Sequence, residues 1–361
     1  MSGGGELLRA RLLALLVAAA MVGGAILIRD AIDDDGGNHD AGEGRTPVLL
    51  CATELAEVCD ELAESGDVEI MIESARTTTD RLASLSDDAR RSEPYDGWVA
   101  FSRDIEIVRE ARQRSALRPV LESPSDAIAR TPLLLAIWRD RAAALEQDCG
   151  GEVTWRCLGE VAGELWRSHG GEATWGNVKL GHADPSLTGE GLTVIGQAAA
   201  QYFDRNDLSR DDYLDDRFFE WFTRLEGAVP TGGGTGDESP FVRMLTAGPA
   251  AFDVVATTEA TAGPELAAAS RDKRERVRLL YPSPVATADV RFASFVDGNE
   301  DLFDLVTGDD ARAALGHAGY RVDGEDRAKG VPDTPPLPGR ANLPDAGALE
   351  ALLDTWRAVT G

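Results

Sequence analysis

Between residues 46 and 113 the chain repeats one unit three times: a short apolar run, a polar turn, then an amphipathic stretch. Residues 47–51 (Pro-Val-Leu-Leu-Cys) read as a buried strand feeding a helix over 53–62, with Thr53 as its cap. Residues 68–72 read as a second strand, followed by the polar turn 74–79 and a helix through Leu85. A third strand over 97–101 leads into a helix from Arg103 to about Gln113. Short apolar strands alternating with helices predict an α/β fold whose mostly parallel sheet is covered on both faces. In such sheets ligands bind beyond the carboxyl ends of the strands. Thr53, Arg76, Thr77 and the segment after Trp98 fall there.

A second unit begins near Thr131, with a strand over 132–138 and a helix over 139–147. Its most informative stretch is 180–203, which starts as the tail of a strand and breaks at Asp184-Pro185. It then offers Ser186, Thr188 and Gly189, and continues as an apolar helix from about Leu192. The first N–H groups of a helix lack intrahelical partners and carry the positive end of its dipole, so this arrangement suits an anion or a polar ligand. Ser186 or Thr188 equally suits a plain N-cap, with Glu190 or Gly191 near the third position. A helix with Phe218, Phe219, Trp221 and Phe222 follows, then a disordered-looking glycine run at 231–237 and a helix through Leu245. A strand over 251–258 ends in Glu259, and 277–281 is extended. Residues 290–295 return to the first unit, and amphipathic helices over 302–318 and 348–359 flank a Pro/Gly-rich span at 330–344.

Length and charge narrow the function. At 361 residues the chain suits two domains better than one. Its hydrophobic fraction of 43% allows a sizeable core. The net charge of −27 repels nucleic acid and anionic lipid, which excludes DNA and RNA as partners. Arg9 and Arg11 precede an uncharged run over 12–28, and an acidic, glycine-rich tether extends to residue 45. That asymmetry predicts a signal anchor or signal peptide within 1–29, with the rest of the chain exported. An uncleaved anchor is favoured because 18–24 is a poor cleavage site. Four cysteines form two close pairs, Cys51/Cys59 and Cys149/Cys157. Outside the cell they read as two local disulfides; the spacing does not suit zinc, and three connectivities are open.

Several segments resemble bacterial extracellular solute-binding proteins of the type II periplasmic-binding fold, including membrane-anchored actinobacterial members. The resemblance is carried by 129–138 (Ala-Arg-Thr-Pro-Leu-Leu-Leu-Ala-Ile-Trp), by 181–192 and by 248–259. Residues 280–289 (Leu-Tyr-Pro-Ser-Pro-Val-Ala-Thr-Ala-Asp) complete it. It implies two α/β lobes, one from 46–130 plus 285–361 and the other from 131–284, closing on a small polar or anionic solute. By position it implies ligand contacts from Thr53, Arg76, Thr77 and Thr131, and from Ser186, Thr188, Thr258 and Glu259. Each of these also has an ordinary reading as a helix cap or solvated surface group. Glu259 would repel an anion, so it is either salt-bridged away or faces an amine or a metal ion. The resemblance further implies a single-pass or secreted extracytoplasmic location, a permease or sensor partner, and neither cofactor nor resident metal. Phosphate binders usually carry Ser-Gly-Thr at this second-lobe helix, and this chain has Ser-Leu-Thr-Gly at 186–189. With no Gly-x-Ser-x-Gly elbow, metal triad or P-loop, an enzyme is not expected. A ligand-free scaffold or adhesion protein on the same fold is the alternative.

Overall fold

The computed structural model describes residues 45–230, 239–296, 298, 301–322, 328, 330, 331 and 335–361. The uncharged run at 12–28, the tether up to 44 and the glycine run at 231–237 lie outside them. Among the described residues no helix is long and apolar enough to cross a membrane.

Strand β1 (Val48–Ala52) is buried throughout and runs into a 3-10 turn, Thr53–Leu55, before helix α1 (Ala56–Ser65). The sequence made Thr53 the helix cap; here it opens the 3-10 turn, and no side chain caps either element. β2 (Glu69–Glu73) is followed at once by α2 (Ala75–Ser84), because the Ser74 hydroxyl accepts from the Thr77 N–H and starts the helix there. The expected polar turn over 74–79 is therefore already helical. β3 (Gly97–Phe101) leads directly into α3 (Ser102–Arg114).

β4 (Ala129–Trp138) is followed by α4 (Arg139–Asp148) and α5 (Trp155–Val161). The two-residue β5 (Leu180–Gly181) precedes α6 (Gly189–Phe203), which begins three residues before the expected Leu192 because Thr188 caps it. α7 (Asp216–Gly227), α8 (Pro240–Ala247), β6 (Val254–Thr258), α9 (Glu259–Ala268) and α10 (Arg271–Arg276) continue the chain. β7 (Val277–Leu280) and β8 (Thr287–Ser294) follow. The helix expected over 302–318 divides at Gly308 into α11 (Asp301–Thr307) and α12 (Asp309–His317), and α13 (Ala346–Thr360) closes the chain.

The strands are ordered β2-β1-β3-β8-β4-β6-β5, with β7 on β4. Only β1 with β2, β1 with β3, and β5 with β6 pair in parallel; β8 and β4 pair antiparallel with their neighbours. The sheet is thus mixed, where the sequence pattern predicted a mostly parallel one. Alternating strands and helices do not encode the direction in which a returning strand such as β8 is inserted. β4 changes partners along its length: Ala129–Pro132 pair with β8, and Leu133–Ile137 pair with β6. It is buried on both faces. Leu133, Leu135 and Ile137 join the main core, whereas Leu134, Ala136 and Trp138 join a second cluster with Phe241 and Phe252. β4 and β8 are thereby the rails between a first lobe around β1–β3 and a second around β4–β7, both inside one compact unit, Thr46–Gly361. α13 packs on α3 of the first lobe and on α6 and α7 of the second.

Both local disulfides are formed, Cys51–Cys59 and Cys149–Cys157. The first closes a loop over residues 52–58, the segment that carries Glu54.

Candidate functional site

The carboxyl ends of β1 and β3 and the N-terminus of α6 converge where the lobes meet. Glu54, two residues beyond β1, reaches across to the second lobe. Its Oε1 accepts the backbone N–H groups of Gly189 (2.5 Å) and Glu190 (3.2 Å), the first two residues of α6. A carboxylate of the chain itself thus occupies the helix N-terminus that the sequence offered to an anion or polar ligand. Asp104, in the first turn of α3, presses on the same glycine: a Cβ added to Gly189 would lie 2.3 Å from Asp104 Oδ2. Only glycine allows that approach. Arg76, in the first turn of α2, is buried behind them, with Nη1 3.9 Å from Asp104 Oδ1 and Nη2 3.3 Å from Asp80 Oδ1. Its backbone N–H donates across the seam to Leu187 O (3.4 Å).

This seam is short of partners. Glu54 Oε2, both oxygens of Asp104, and Nε and Nη1 of Arg76 are enclosed without a hydrogen bond. Burial pushes the Glu54 carboxyl up to about 7, with the Asp104 charge adding to it and the backbone donors opposing. Burial likewise lifts Asp104 to about 6, against the pull of Arg76. Glu190 is also raised by burial, although hydroxyls of Thr261, Thr257 and Thr258 all donate to it (2.6, 2.7 and 3.5 Å).

A cavity of about 650 Å³ opens beside the seam, between α1 and the 3-10 turn on one lobe and α8 and α9 on the other. Thr53, Glu54 and Glu57 line one wall, Ser239, Thr261 and Glu265 the other, and Tyr320 the floor. The Tyr320 hydroxyl donates to Glu54 O (3.1 Å), fixing the backbone that presents Glu54.

Of the residues singled out in sequence, Arg76 and Thr188 lie at the seam, Thr53 on the cavity wall, and Thr258 behind it on Glu190. Thr188 caps α6, accepting from Gly191 N–H (3.0 Å). Ser186 turns inward to Asp184, its N–H and hydroxyl both donating to Oδ1 (2.7 and 2.6 Å). Thr77 is exposed, with its hydroxyl on Ser74 Oγ (2.8 Å). Thr131 is fully buried and accepts from Ala260 N–H (2.9 Å), capping α9 from the crossover strand. Glu259 is fully buried and salt-bridged: Arg321 Nε donates to its Oε2 (2.7 Å), and Arg321 Nη2 and the Tyr281 hydroxyl donate to Oε1. Glu259 and Glu190 are each satisfied within the chain by different partners. His182 donates or accepts at Glu226 Oε2 (3.2 Å), which also takes the Trp356 indole N–H (2.7 Å). That contact pins β5 and α7 to the closing helix.

Glu54 and Asp104 are the seam residues that sequence reasoning passed over. Both sit just past the carboxyl end of a strand, the position that drew attention to Thr53 and to the segment after Trp98. An acidic residue in a first helical turn has so ordinary a reading, as a partner of the dipole, that neither stood out.

No protein-family model matches the sequence, and no curated protein matches it. Solved structures do match the fold. The periplasmic binding protein AfuA from Actinobacillus pleuropneumoniae, with fructose-6-phosphate bound, is 12% identical over 88% of this chain and 98% of its own, with a TM-score of 0.54. The iron-bound HitA from Pseudomonas aeruginosa is 13% identical over 88% and 99%, with a TM-score of 0.55. The ferric binding protein of Campylobacter jejuni is 10% identical over 87% and 99%, also at 0.55. The chain therefore has the two-lobed mixed α/β fold of periplasmic solute-binding proteins.

Proposed function

We propose that this chain is an extracytoplasmic solute-binding protein that captures a small polar solute between its lobes and delivers it to a permease or reports it to a sensor. The observation that carries this reading is the seam itself. Charged groups from both lobes meet there, beside a cavity of a size suited to a small molecule, with buried hydrogen-bonding capacity left over. A fold built only for packing has no use for such groups. Two disulfides support an oxidising compartment, and the basic-flanked apolar run at 12–28 supports export with an N-terminal membrane tether. The first lobe, in this reading, is 46–130 with 285–361, the second is 131–284, and the strands between them are the hinge. Lobe closure would bring Arg76 and Thr188 onto the solute, with Thr53 and Thr258 at its edges.

The test is a thermal-shift panel on the full-length protein with oxyanions, amino acids, amines, sugars and divalent metals. A ligand at about 100 times its dissociation constant stabilises the fold by about 2.7 kcal/mol. A hit that disappears in Arg76→Ala and Thr188→Ala establishes the receptor. One observation favours a second reading, a ligand-free scaffold: Glu54 already fills the α6 N-terminus. A well-folded sample that answers to no member of the panel would decide for the scaffold.

A further inference from the structure

Some buried carboxylates of this protein have close cationic partners. Asp253 is paired with Arg141 (3.3 Å) and Lys179 (3.2 Å), and Glu259 with Arg321. At the seam, by contrast, the guanidinium near Asp104 is Arg76, 3.9 Å away and beyond hydrogen-bonding distance, and Glu54 is held by backbone N–H groups. The α6 N-terminus adds only about half a positive charge. With both carboxylates ionised, the seam is left short of positive charge.

We infer that the solute taken by this cleft is an organic cation, whose ammonium group supplies the positive charge that the seam lacks. This rests on the reading of the cleft as a solute site and names its ligand class. The first support is Asp104: it is 1% exposed, neither oxygen accepts a hydrogen bond, and it is aimed at the seam through Gly189. A buried carboxylate without donors is rare in a native fold, and a donor-rich cation is the partner that completes it. The second support is the approach. The cavity wall carries Glu54, Glu57 and Glu265, with no lysine or arginine among its described lining residues. An anion entering there meets carboxylates on both lobes; an ammonium meets the carboxylates of Glu57 and Glu265 and the hydroxyls of Thr53 and Ser239, on the wall that also carries Glu54. Among the described residues no three or more His, Cys, Asp or Glu side chains converge as metal ligands do, which favours an organic cation over a metal ion.

The experiment is a thermal-shift and calorimetric titration of the full-length protein at pH 8, where Glu54 and Asp104 are ionised. Putrescine and choline are the cationic probes; succinate, inorganic phosphate and glucose are the others. About 0.3 M NaCl screens general attraction to the acidic surface. The expected result is stabilisation by at least one cation alone. Its affinity should fall at least tenfold in Glu54→Gln and in Asp104→Asn, and be unchanged in Glu220→Gln, on an exposed face of α7. Stabilisation by succinate, phosphate or glucose with none by a cation overturns the cationic class and leaves the receptor standing. A cation effect that survives both seam variants overturns the site. Silence from every probe overturns the inference and, if the wider panel is silent too, the receptor reading with it.

Discussion

Two sets of buried charge, one around Glu259 and one at the seam, differ in how they are completed. Glu259, the first residue of α9, is enclosed by Arg321 in a two-point contact and by the Tyr281 hydroxyl, and Arg321 Nη1 donates onward to Pro335 O (2.7 Å). Glu54 and Asp104, at the seam, are enclosed as thoroughly around their free oxygens but find two backbone N–H groups and one distant guanidinium. Burial alone therefore does not mark function. A buried charge whose partners are complete is architecture; one whose partners are missing is waiting for something. Desolvation makes the second arrangement costly unless a proton or a ligand relieves it.

The largest expected effect tests the architectural half. Arg321→Met strands Glu259 in the core and should cost about 3–5 kcal/mol in urea unfolding, whereas Glu259→Leu/Arg321→Met together should recover most of it. A single-variant cost under about 1 kcal/mol would erase the distinction drawn here. Next comes the brace on the Glu54 loop: Cys51→Ala/Cys59→Ala removes a short closed loop and should cost about 2–3 kcal/mol.

The seam should behave oppositely. Glu54→Gln keeps an acceptor for the α6 N–H groups and removes a charge, so at pH 8 it should be neutral or stabilising by about 1 kcal/mol. The sign of the pH dependence follows from the direction of the shifts. Glu54 and Asp104 hold protons more tightly in the folded state, near 7 and 6, than in the unfolded chain. Their contribution to stability is complete below about pH 4 and declines as pH rises through about 6 and 7. Urea midpoints measured from pH 5 to 8 should therefore fall in the parent and fall less in Glu54→Gln; equal slopes would mean the seam is solvated. The smallest effect belongs to an exposed candidate: Thr77→Ala should change stability by less than about 0.5 kcal/mol and leave ligand response intact.

Much of this was legible beforehand where the physics is local. The run at 97–101 became β3 residue for residue, because five apolar residues ending in a helix start leave little choice. The two cysteine pairs closed locally. Glu259 was expected either to be salt-bridged away or to face a cation, and Arg321 decides for the salt bridge, although its identity as partner was not readable from 62 residues away. Arg76 and Thr188 are named from strand ends and a helix start, and the Arg76 N–H donates to Leu187 O, next to Thr188. Ser186 was named on the same grounds, but the neighbouring Asp184 satisfies its N–H and hydroxyl within the turn, a competition that side-chain types alone do not rank.

By itself, then, the sequence determined the alternation of strands and helices, a helix start between 186 and 192, the acidic balance and the close cysteine pairs. These follow from periodicity, capping chemistry and spacing, all set within a few residues. Only the tertiary structure decided that β8 runs antiparallel between β3 and β4, that a carboxylate from one lobe caps a helix of the other, and that Asp104 is buried with one distant arginine. Those outcomes depend on which surfaces meet through space, and on how much water is left between charges once they do.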